Sequence, residues 1–201
     1  MRTDPILLEI IKNKFQSVTE EMGRALMRTG HTIFVNETAD FGNALGTLDG
    51  ELFAYPRGLG INAFVNLDLK DGIRYFNDYQ EGDIVITNDP YTSGCLASHL
   101  TDINLFKPVF WKGEIVCFAW SYIHATDVGG KVAGSLAPSC YEIYQEGLRI
   151  PPTKLYKAGE LNREFLEIFK ANCRIPDDNW GDLKAIIAAL NTGERRVHSM
   201  L

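Results

Sequence analysis

The chain has 201 residues, which is the length of one ordinary globular domain or slightly more. Hydrophobic residues make up 45% and charged residues 23% of the sequence, and this composition excludes a disordered, collagenous or fibrous protein. The net charge of −6, with no long basic stretch, excludes general binding to nucleic-acid phosphates.

The sequence shows no feature of export or membrane insertion. A secretion signal needs a basic segment followed by an apolar one, and the first residues have neither. No apolar stretch approaches the roughly 20 residues of a membrane-spanning helix. The four cysteines include no Cys-x-x-Cys pair, so neither a zinc clamp nor a dithiol centre is indicated. We therefore expect a cytoplasmic protein with reduced thiols and no membrane or nucleic-acid partner.

The first predicted element is a long amphipathic helix that ends near Gly30. Asp4 followed by Pro5 is typical of a helix start, because the carboxylate caps free N–H groups and proline in the first turn loses no hydrogen bond. Apolar residues recur at spacings of three and four, namely Leu7, Ile11, Phe15, Val18, Met22 and Leu26. This pattern predicts a helix that packs along one face.

A β region is expected after this helix. Residues 32–35 are β-branched or aromatic, and Asp49-Gly50 is the favoured two-residue turn for a hairpin within residues 44–54. Residues 62–76 show weaker helical spacing and are interpreted as a helix. Residues 84–86 form a short β-branched run typical of a buried strand.

The second half of the chain contains the clearest hairpin. Residues 103–111 and 114–124 are predicted strands, joined by Lys112-Gly113. Residues 126–152 are rich in glycine and proline and form a long predicted loop, and helices follow at about 161–172 and 181–196, separated by Pro176. Together these elements predict a single α+β region over residues 1–201. It has an N-terminal helix, a mixed or antiparallel sheet and C-terminal helices.

Two of the four histidines are each followed, three residues later, by an aspartate: His99 by Asp102, and His124 by Asp127. Because the two motifs lie at the same end of the predicted hairpin, they bring imidazoles and carboxylates together. Such a set is typical of a catalytic zinc or manganese site with an open position. The alternative is that these are turn and strand-end residues bonded to the backbone.

The hairpin register presents a difficulty for a metal site. If Lys112-Gly113 is a two-residue turn, paired positions sum to 225, so Asp102 faces Ile123 and lies on the opposite face of the sheet from His124. A bulge near Pro108, which cannot donate to the ladder, would shift the register by one residue. Otherwise the ladder ends before these residues, and loop geometry brings them together.

The sequence resembles the hydantoinase B family along its full length. The residues that carry the resemblance are Asp4-Pro5-Ile6, Asp40-Phe41, Asn88-Asp89-Pro90-Tyr91, His99-Leu100-Thr101-Asp102-Ile103, Pro108-Val109-Phe110, His124 with Asp127-Val128-Gly129-Gly130, Glu146-Gly147-Leu148 and Arg174-Ile175-Pro176. This family groups the B subunits of ATP-dependent hydantoinases, 5-oxoprolinases and lactamases with a subunit of acetone and acetophenone carboxylases.

The resemblance implies a divalent metal ion bound by His99, Asp102 and His124, with Asp40 as a further ligand and Asp127 as another additional contact. Zinc is the first expectation, and manganese or iron are the alternatives. A metal-activated water would attack the substrate, and Asp127 or Asp40 would accept the proton of that water.

The resemblance also implies a division of labour within a hetero-oligomer. A hydantoinase A-type partner subunit binds ATP and phosphorylates the ring carbonyl of a lactam, hydantoin or 5-oxoproline, and the present subunit hydrolyses the activated ring. Two alternatives stay open: a subunit of an ATP-dependent ketone carboxylase, and a non-catalytic assembly subunit that binds no metal. Because B subunits are typically longer, we expect this chain to be the N-terminal portion of one.

The sequence departs from the family pattern at two places. Leu96-Ala97-Ser98 is inserted before the first histidine motif, and Cys95 beside it is expected to line the substrate pocket, or else to be a soft metal ligand. His31 stands where relatives have a small or aromatic residue, which bears on substrate size.

Overall fold

The computed structural model describes residues 4–58, 60 and 67–201, and it has the predicted α+β fold. The helices are α1 (Pro5–Thr29), α2 (Ile33–Asn36), α3 (Lys70–Arg74), α4 (Arg163–Asn172) and α5 (Pro176–His198). The strands are β1 (Phe41–Gly46), β2 (Leu52–Ala54), β3 (Ile84–Thr87), β4 (Asp102–Trp111), β5 (Glu114–His124), β6 (Thr153–Lys157) and β7 (Glu160–Leu161). They form one antiparallel sheet in the order β2-β1-β5-β4-β3-β6-β7.

Helix α1 begins and ends where the sequence predicts. The Asp4 carboxylate accepts a hydrogen bond from the N–H of Ile6 at 2.9 Å, and Gly30 caps the other end. The residues of the predicted apolar face are buried only in the second half of the helix, where Val18 and Met22 lie in the core. In the first half, Leu7 is 49% exposed. Among the described residues, no helix combines the length and the apolar character that crossing a lipid bilayer requires.

The predicted β character of residues 32–35 is wrong, because Ile33–Asn36 is a single helical turn. The buried carboxylate of Asp182 on α5 fixes this segment. It accepts hydrogen bonds from the N–H groups of His31 and Thr32, at 2.6 and 3.2 Å, and from the Thr32 hydroxyl at 2.7 Å. A long-range contact therefore overrides the local β preference, and the β region begins at Phe41.

The first hairpin is present but its turn differs from the prediction. Thr47 donates its N–H to the Glu51 carbonyl at 2.8 Å, so three residues form the loop instead of two. Gly50 occupies the left-handed region with φ of 96°, which is typical of a three-residue turn with a bulge. The Asp49-Gly50 signal predicted the hairpin correctly and the loop length incorrectly.

The remaining predictions were correct for the longer elements. Strands β3, β4 and β5 lie where they are expected, and residues 126–152 contain only one short 3₁₀ turn, Ile143–Gln145. Of the predicted helix over residues 62–76, only Lys70–Arg74 is helical in the described part, and residues 62–66 lie outside it. The short β6–β7 hairpin was not predicted. Pro176 begins α5, which starts earlier than expected.

The two faces of the sheet are covered differently. Helices α1 and α5 pack on one face, where the buried Lys107 amino group on β4 contacts Glu194 of α5 at 2.6 Å. The opposite face carries a separate cluster that includes Trp120, Phe106 and Leu69. Because alternate residues of a strand point to opposite faces, Asp102 shares the second face with Phe106. The candidate site therefore lies on the face away from α1 and α5.

Candidate metal centre

The site depends on the register of the β4–β5 hairpin. Lys112 and Gly113 form the predicted two-residue turn, both with positive φ. The β4–β5 pairing shifts by one residue between Val109 and Phe110, which leaves Val116 of β5 unpaired. Because of this shift, Asp102 pairs directly with His124 at the far end of the hairpin. The bulge expected near Pro108 is thus present, and it places both side chains on one face.

Three ligand atoms converge at the end of this hairpin. Asp102 begins β4, His124 ends β5, and His99 lies on the turn before β4. The Nε2 atom of His99 is 3.1 Å from Oδ1 of Asp102 and 3.2 Å from Nδ1 of His124. The triangle is closed by a distance of 3.4 Å between Oδ1 of Asp102 and Nδ1 of His124. Among the described residues, these three form the group with metal-binding spacing.

This triangle fits a metal ion. Ligand atoms about 2.0 to 2.1 Å from a tetrahedral zinc ion lie about 3.3 Å from one another, close to the three distances here. Two imidazole nitrogens and a carboxylate oxygen are also the donors that zinc, manganese and iron accept. Three electron-rich atoms at this spacing repel one another unless a positive charge lies among them, and a proton or a metal ion supplies that charge.

Electrostatics keep the Asp102 carboxylate of the cluster ionised. Burial alone would raise the pKa of Asp102, but hydrogen bonds with His124 and His99 hold it well below its ordinary value. The hydrogen bond with Asp102 raises the pKa of His99 above its ordinary value, against the opposing effect of burial. The carboxylate therefore stays ionised at neutral pH and attracts a cation.

Neighbouring elements hold the His124 ring and backbone in place. The N–H of His124 donates to the Asp40 carbonyl at 3.0 Å, which ties the end of β5 to the segment before β1. The Phe34 ring on α2 contacts the imidazole edge to face, with ring centroids 4.9 Å apart. The helical turn that sequence patterns missed therefore supports the His124 ring of the candidate metal site.

The cluster opens into a cavity of about 570 Å³. Its described lining consists of Asp40, Leu67, Cys95, Leu96, Ser98, His99, Asp102, Trp120, Tyr122, His124 and Leu136. The Trp120 indole N–H donates to Asn104 at 3.0 Å. Burial, reinforced by the charges of Asp40 and Asp102, raises the pKa of Tyr122, so its phenol stays neutral. This cavity has the size and the mixed lining of a small-molecule site.

The structure separates the two carboxylates that were candidates for the proton acceptor. Asp40 lines the cavity, although it is not one of the three clustered ligands. Asp127 is buried and is not among the lining residues. The expectation that Asp127 faces the same space as the two histidines is therefore corrected by the fold.

Asp127 instead organises the long loop. One carboxylate oxygen accepts from the N–H groups of Gly129 and Arg174, and the other accepts from the N–H of Gly134 and the Arg174 guanidinium at 2.9 Å. These hydrogen bonds outweigh burial and hold the pKa of Asp127 below its ordinary value. Since both oxygens are saturated, neither is free to accept another proton.

The other residues singled out from the sequence have clear positions. Cys95 is exposed, has a positive φ of 66° and lines the cavity, as expected, without joining the ligand cluster. His31 lies against Gly181 of α5 and is not among the described lining residues. No role at the site was assigned from the sequence to Ser98 or Asn104. The only indication in the sequence is that Ser98 directly precedes His99 and that Asn104 lies two residues after Asp102.

Comparison with known proteins identifies the family. The family model described as hydantoinase B/oxoprolinase matches residues 4–201. The chain belongs to this family. The match includes every strand of the sheet and the three clustered residues His99, Asp102 and His124.

Individual relatives within the family carry several activities in their names. An uncharacterized protein of Methanocaldococcus jannaschii is 36% identical, and the match covers 98% of this chain and 36% of that protein. The caprolactamase subunit beta of Pseudomonas jessenii is 34% identical, and the match covers 98% of this chain and 34% of that protein. A 5-oxoprolinase of Dictyostelium discoideum is 33% identical, and the match covers 98% of this chain and 16% of that protein. The chain thus spans about a third or less of these relatives.

Two solved structures share the fold. The ATP-dependent caprolactamase of Pseudomonas jessenii superposes with a TM-score of 0.86 at 31% identity, covering 100% of this chain and 34% of the other. A nucleotide-free acetone carboxylase superposes with a TM-score of 0.87 at 20% identity, covering 98% and 26%. At that lower identity the second likeness concerns the fold alone.

Proposed function

We propose that this chain is the metal-binding part of a B-type subunit in an ATP-dependent cyclic amidase. The observation that carries the proposal is the triangle of His99, Asp102 and His124, in a cavity large enough for a small ring. Relatives of similar sequence are named caprolactamase and 5-oxoprolinase, which are amide-ring activities. In this proposal the reaction is hydrolysis of a lactam-like ring coupled to ATP hydrolysis.

The residues of the chain divide the chemistry among them. His99, Asp102 and His124 hold a divalent ion, with zinc first and manganese or iron as alternatives. When bound, this ion supplies a Lewis acid that polarises a carbonyl and lowers the pKa of water. Asp40, the cavity carboxylate outside the ligand triangle, accepts the proton released as water attacks. Asp127 has no part in this step.

Activation of the ring belongs to a partner subunit in this proposal. Amide carbonyls are poor electrophiles, and phosphorylation of the carbonyl oxygen creates a good leaving group. The sequence has no phosphate-binding P-loop, so a hydantoinase A-type subunit binds ATP and transfers the phosphoryl group. The relative from Pseudomonas jessenii is named as one subunit of an enzyme, which supports a hetero-oligomer.

The charge of the cavity favours a ring without a carboxylate. Asp40 and Asp102 contribute negative charge to the lining, and the lining residues within the described part of the chain include no lysine or arginine. A carboxylate on the substrate would lie near the Asp40 charge, and the described lining residues offer it no cation other than the proposed metal ion. Apolar surface from Leu96 and Trp120 instead suits the methylene groups of an uncharged lactam.

The decisive experiment reconstitutes the full subunit with its ATP-binding partner. Purified complex is analysed for metal, then supplied with ATP and either 2-pyrrolidinone-type lactams or ketone with bicarbonate. We expect bound metal and lactam-dependent ATP hydrolysis, both abolished by His124→Ala. ATP turnover that requires ketone and bicarbonate would support a carboxylase instead. Absence of metal, with normal activity of His99→Ala, would support an assembly role.

A further inference from the structure

We propose that Ser98 is a positioning residue that sets the tautomer of His99 and orients Asp102 toward the metal. This inference rests on the proposed metal site. The Ser98 hydroxyl lies 2.8 Å from Nδ1 of His99 and 3.1 Å from Oδ2 of Asp102. The Ser98 side chain thus contacts Nδ1 of His99 and Oδ2 of Asp102. The other nitrogen of His99, Nε2, and the other oxygen of Asp102, Oδ1, are the atoms that belong to the metal triangle.

The direction of each hydrogen bond follows from the number of hydrogens available. A serine hydroxyl carries one hydrogen, and an ionised carboxylate only accepts. The Ser98 hydrogen therefore goes to Oδ2 of Asp102, and the Ser98 oxygen accepts from Nδ1 of His99. A neutral imidazole has a single N–H, so Nε2 of His99 keeps its lone pair for the ion.

The same contact fixes the carboxylate. The Ser98 N–H also points at Oδ2 of Asp102, at 3.4 Å, so this oxygen is occupied by Ser98 while Oδ1 is left facing the two histidines. Asp102 therefore presents one oxygen to the metal. Without the hydroxyl, the His99 ring can flip or adopt the other tautomer, and the carboxylate can rotate.

Exposure makes Ser98 suitable for a mutational test. Its side chain is exposed, so removal of the hydroxyl leaves no cavity in the core. Partners of this kind typically change metal affinity about 10- to 100-fold when they are removed. Threonine keeps the hydroxyl and alanine removes it, which separates hydrogen bonding from side-chain bulk.

The experiment measures metal affinity of the full subunit by chelator competition, together with the visible spectrum of the cobalt-substituted protein. Ser98→Ala should weaken affinity about 10- to 100-fold and alter the cobalt spectrum. Ser98→Thr should retain the parent values, and so should Ser17→Ala, an exposed helix serine used as a control. Parent protein that binds no metal would defeat the proposed function. If the parent protein binds metal, two results would overturn the inference about Ser98. One is equal metal affinity in Ser98→Ala and the parent, and the other is a metal affinity of Ser98→Thr as weak as that of Ser98→Ala.

Discussion

Asp102 and His124 face each other across the β4–β5 hairpin because a single bulged residue, Val116, shifts the ladder by one position. Without this shift, Asp102 would oppose Ile123, and its side chain would lie on the face opposite that of His124. The bulge thus converts two ordinary strand ends into a pair of potential metal ligands with atoms 3.4 Å apart.

Deletion of Val116 should leave the metal site intact. Removal of the unpaired residue makes the hairpin regular from the Lys112-Gly113 turn onward, and Asp102 still pairs with His124. We expect metal affinity close to that of the parent protein, measured by chelator competition. Loss of metal by a deletion variant with the parent circular dichroism spectrum would show that the bend of the bulge itself is required.

Metal binding should stabilise the subunit against unfolding. At a free metal concentration of 100 times Kd, linkage predicts a gain of about 2.7 kcal/mol in the free energy of unfolding. His124→Ala removes one corner of the ligand triangle and should abolish this gain. Thermal denaturation with and without added zinc or manganese measures both effects. An equal shift in His124→Ala would place the metal elsewhere.

Asp40→Asn should lower kcat while stability stays near that of the parent. Asparagine keeps the shape of the side chain in the cavity lining but cannot accept a proton. We expect kcat for lactam-dependent ATP hydrolysis to fall about 10²- to 10⁴-fold, with metal content unchanged. Full activity of Asp40→Asn, assayed in the reconstituted complex, would remove Asp40 from the mechanism.

Asp127→Asn should act on stability instead. The change weakens four hydrogen bonds to a buried carboxylate, including that from Arg174, and should cost about 3 kcal/mol of unfolding free energy. Asp177→Asn is the matched control, because its ion pair with Lys170 is exposed and worth less than about 1 kcal/mol. Urea denaturation compares the two. A stable Asp127→Asn protein without activity would instead restore the catalytic role.

Acid sensitivity should depend on Asp83, which is fully buried and contacts Lys154 at 2.8 Å. Burial opposes ionisation, but hydrogen bonds from Lys154, Ala158 and Gln80 hold the pKa of Asp83 below its ordinary value. A carboxyl group with a lowered folded-state pKa stabilises the fold above its unfolded pKa of about 3.9, and this stability is lost as pH falls through the folded pKa.

Asp83→Asn should therefore destabilise the protein by about 2 to 3 kcal/mol at neutral pH and flatten the fall in stability below about pH 4. Asp78→Asn serves as the control, since Asp78 contacts the same lysine at 3.1 Å but is mostly exposed. Unfolding free energies from pH 7 to pH 3 supply the comparison. Parallel pH profiles for parent and Asp83→Asn would contradict the prediction.

Substrate charge should govern turnover. Because Asp40 adds negative charge to the lining outside the three residues proposed to hold the metal ion, uncharged lactams should be hydrolysed with a lower KM than 5-oxoproline. Steady-state kinetics of the complex with both rings gives the ratio. Preference for 5-oxoproline would mean that the metal ion, or a cation outside the described lining, pairs with the substrate carboxylate.

Much of the fold is accessible from sequence because it depends on local interactions. Asp4-Pro5 sets the start of α1 through a cap within two residues, and Lys112-Gly113 sets the main hairpin through its positive φ angles. Residues 33–36 could not be predicted in this way, because the Asp182 carboxylate that fixes them lies 150 positions away from Thr32. The β6–β7 hairpin was missed because its strands are short, and β6 is held by pairing with β3.

The sequence by itself determined which residue types are available for the site: two histidines, each followed by an aspartate, at the same end of one hairpin. Only the tertiary structure decided their roles. A bulge brought Asp102 opposite His124, and the segment before β1 carried Asp40 into the cavity. Backbone N–H groups and the Arg174 guanidinium together saturated Asp127. Identical spacing in the two motifs thus led to different surroundings for Asp102 and Asp127, because side-chain chemistry is local whereas hydrogen-bond partners and strand register depend on distant parts of the chain.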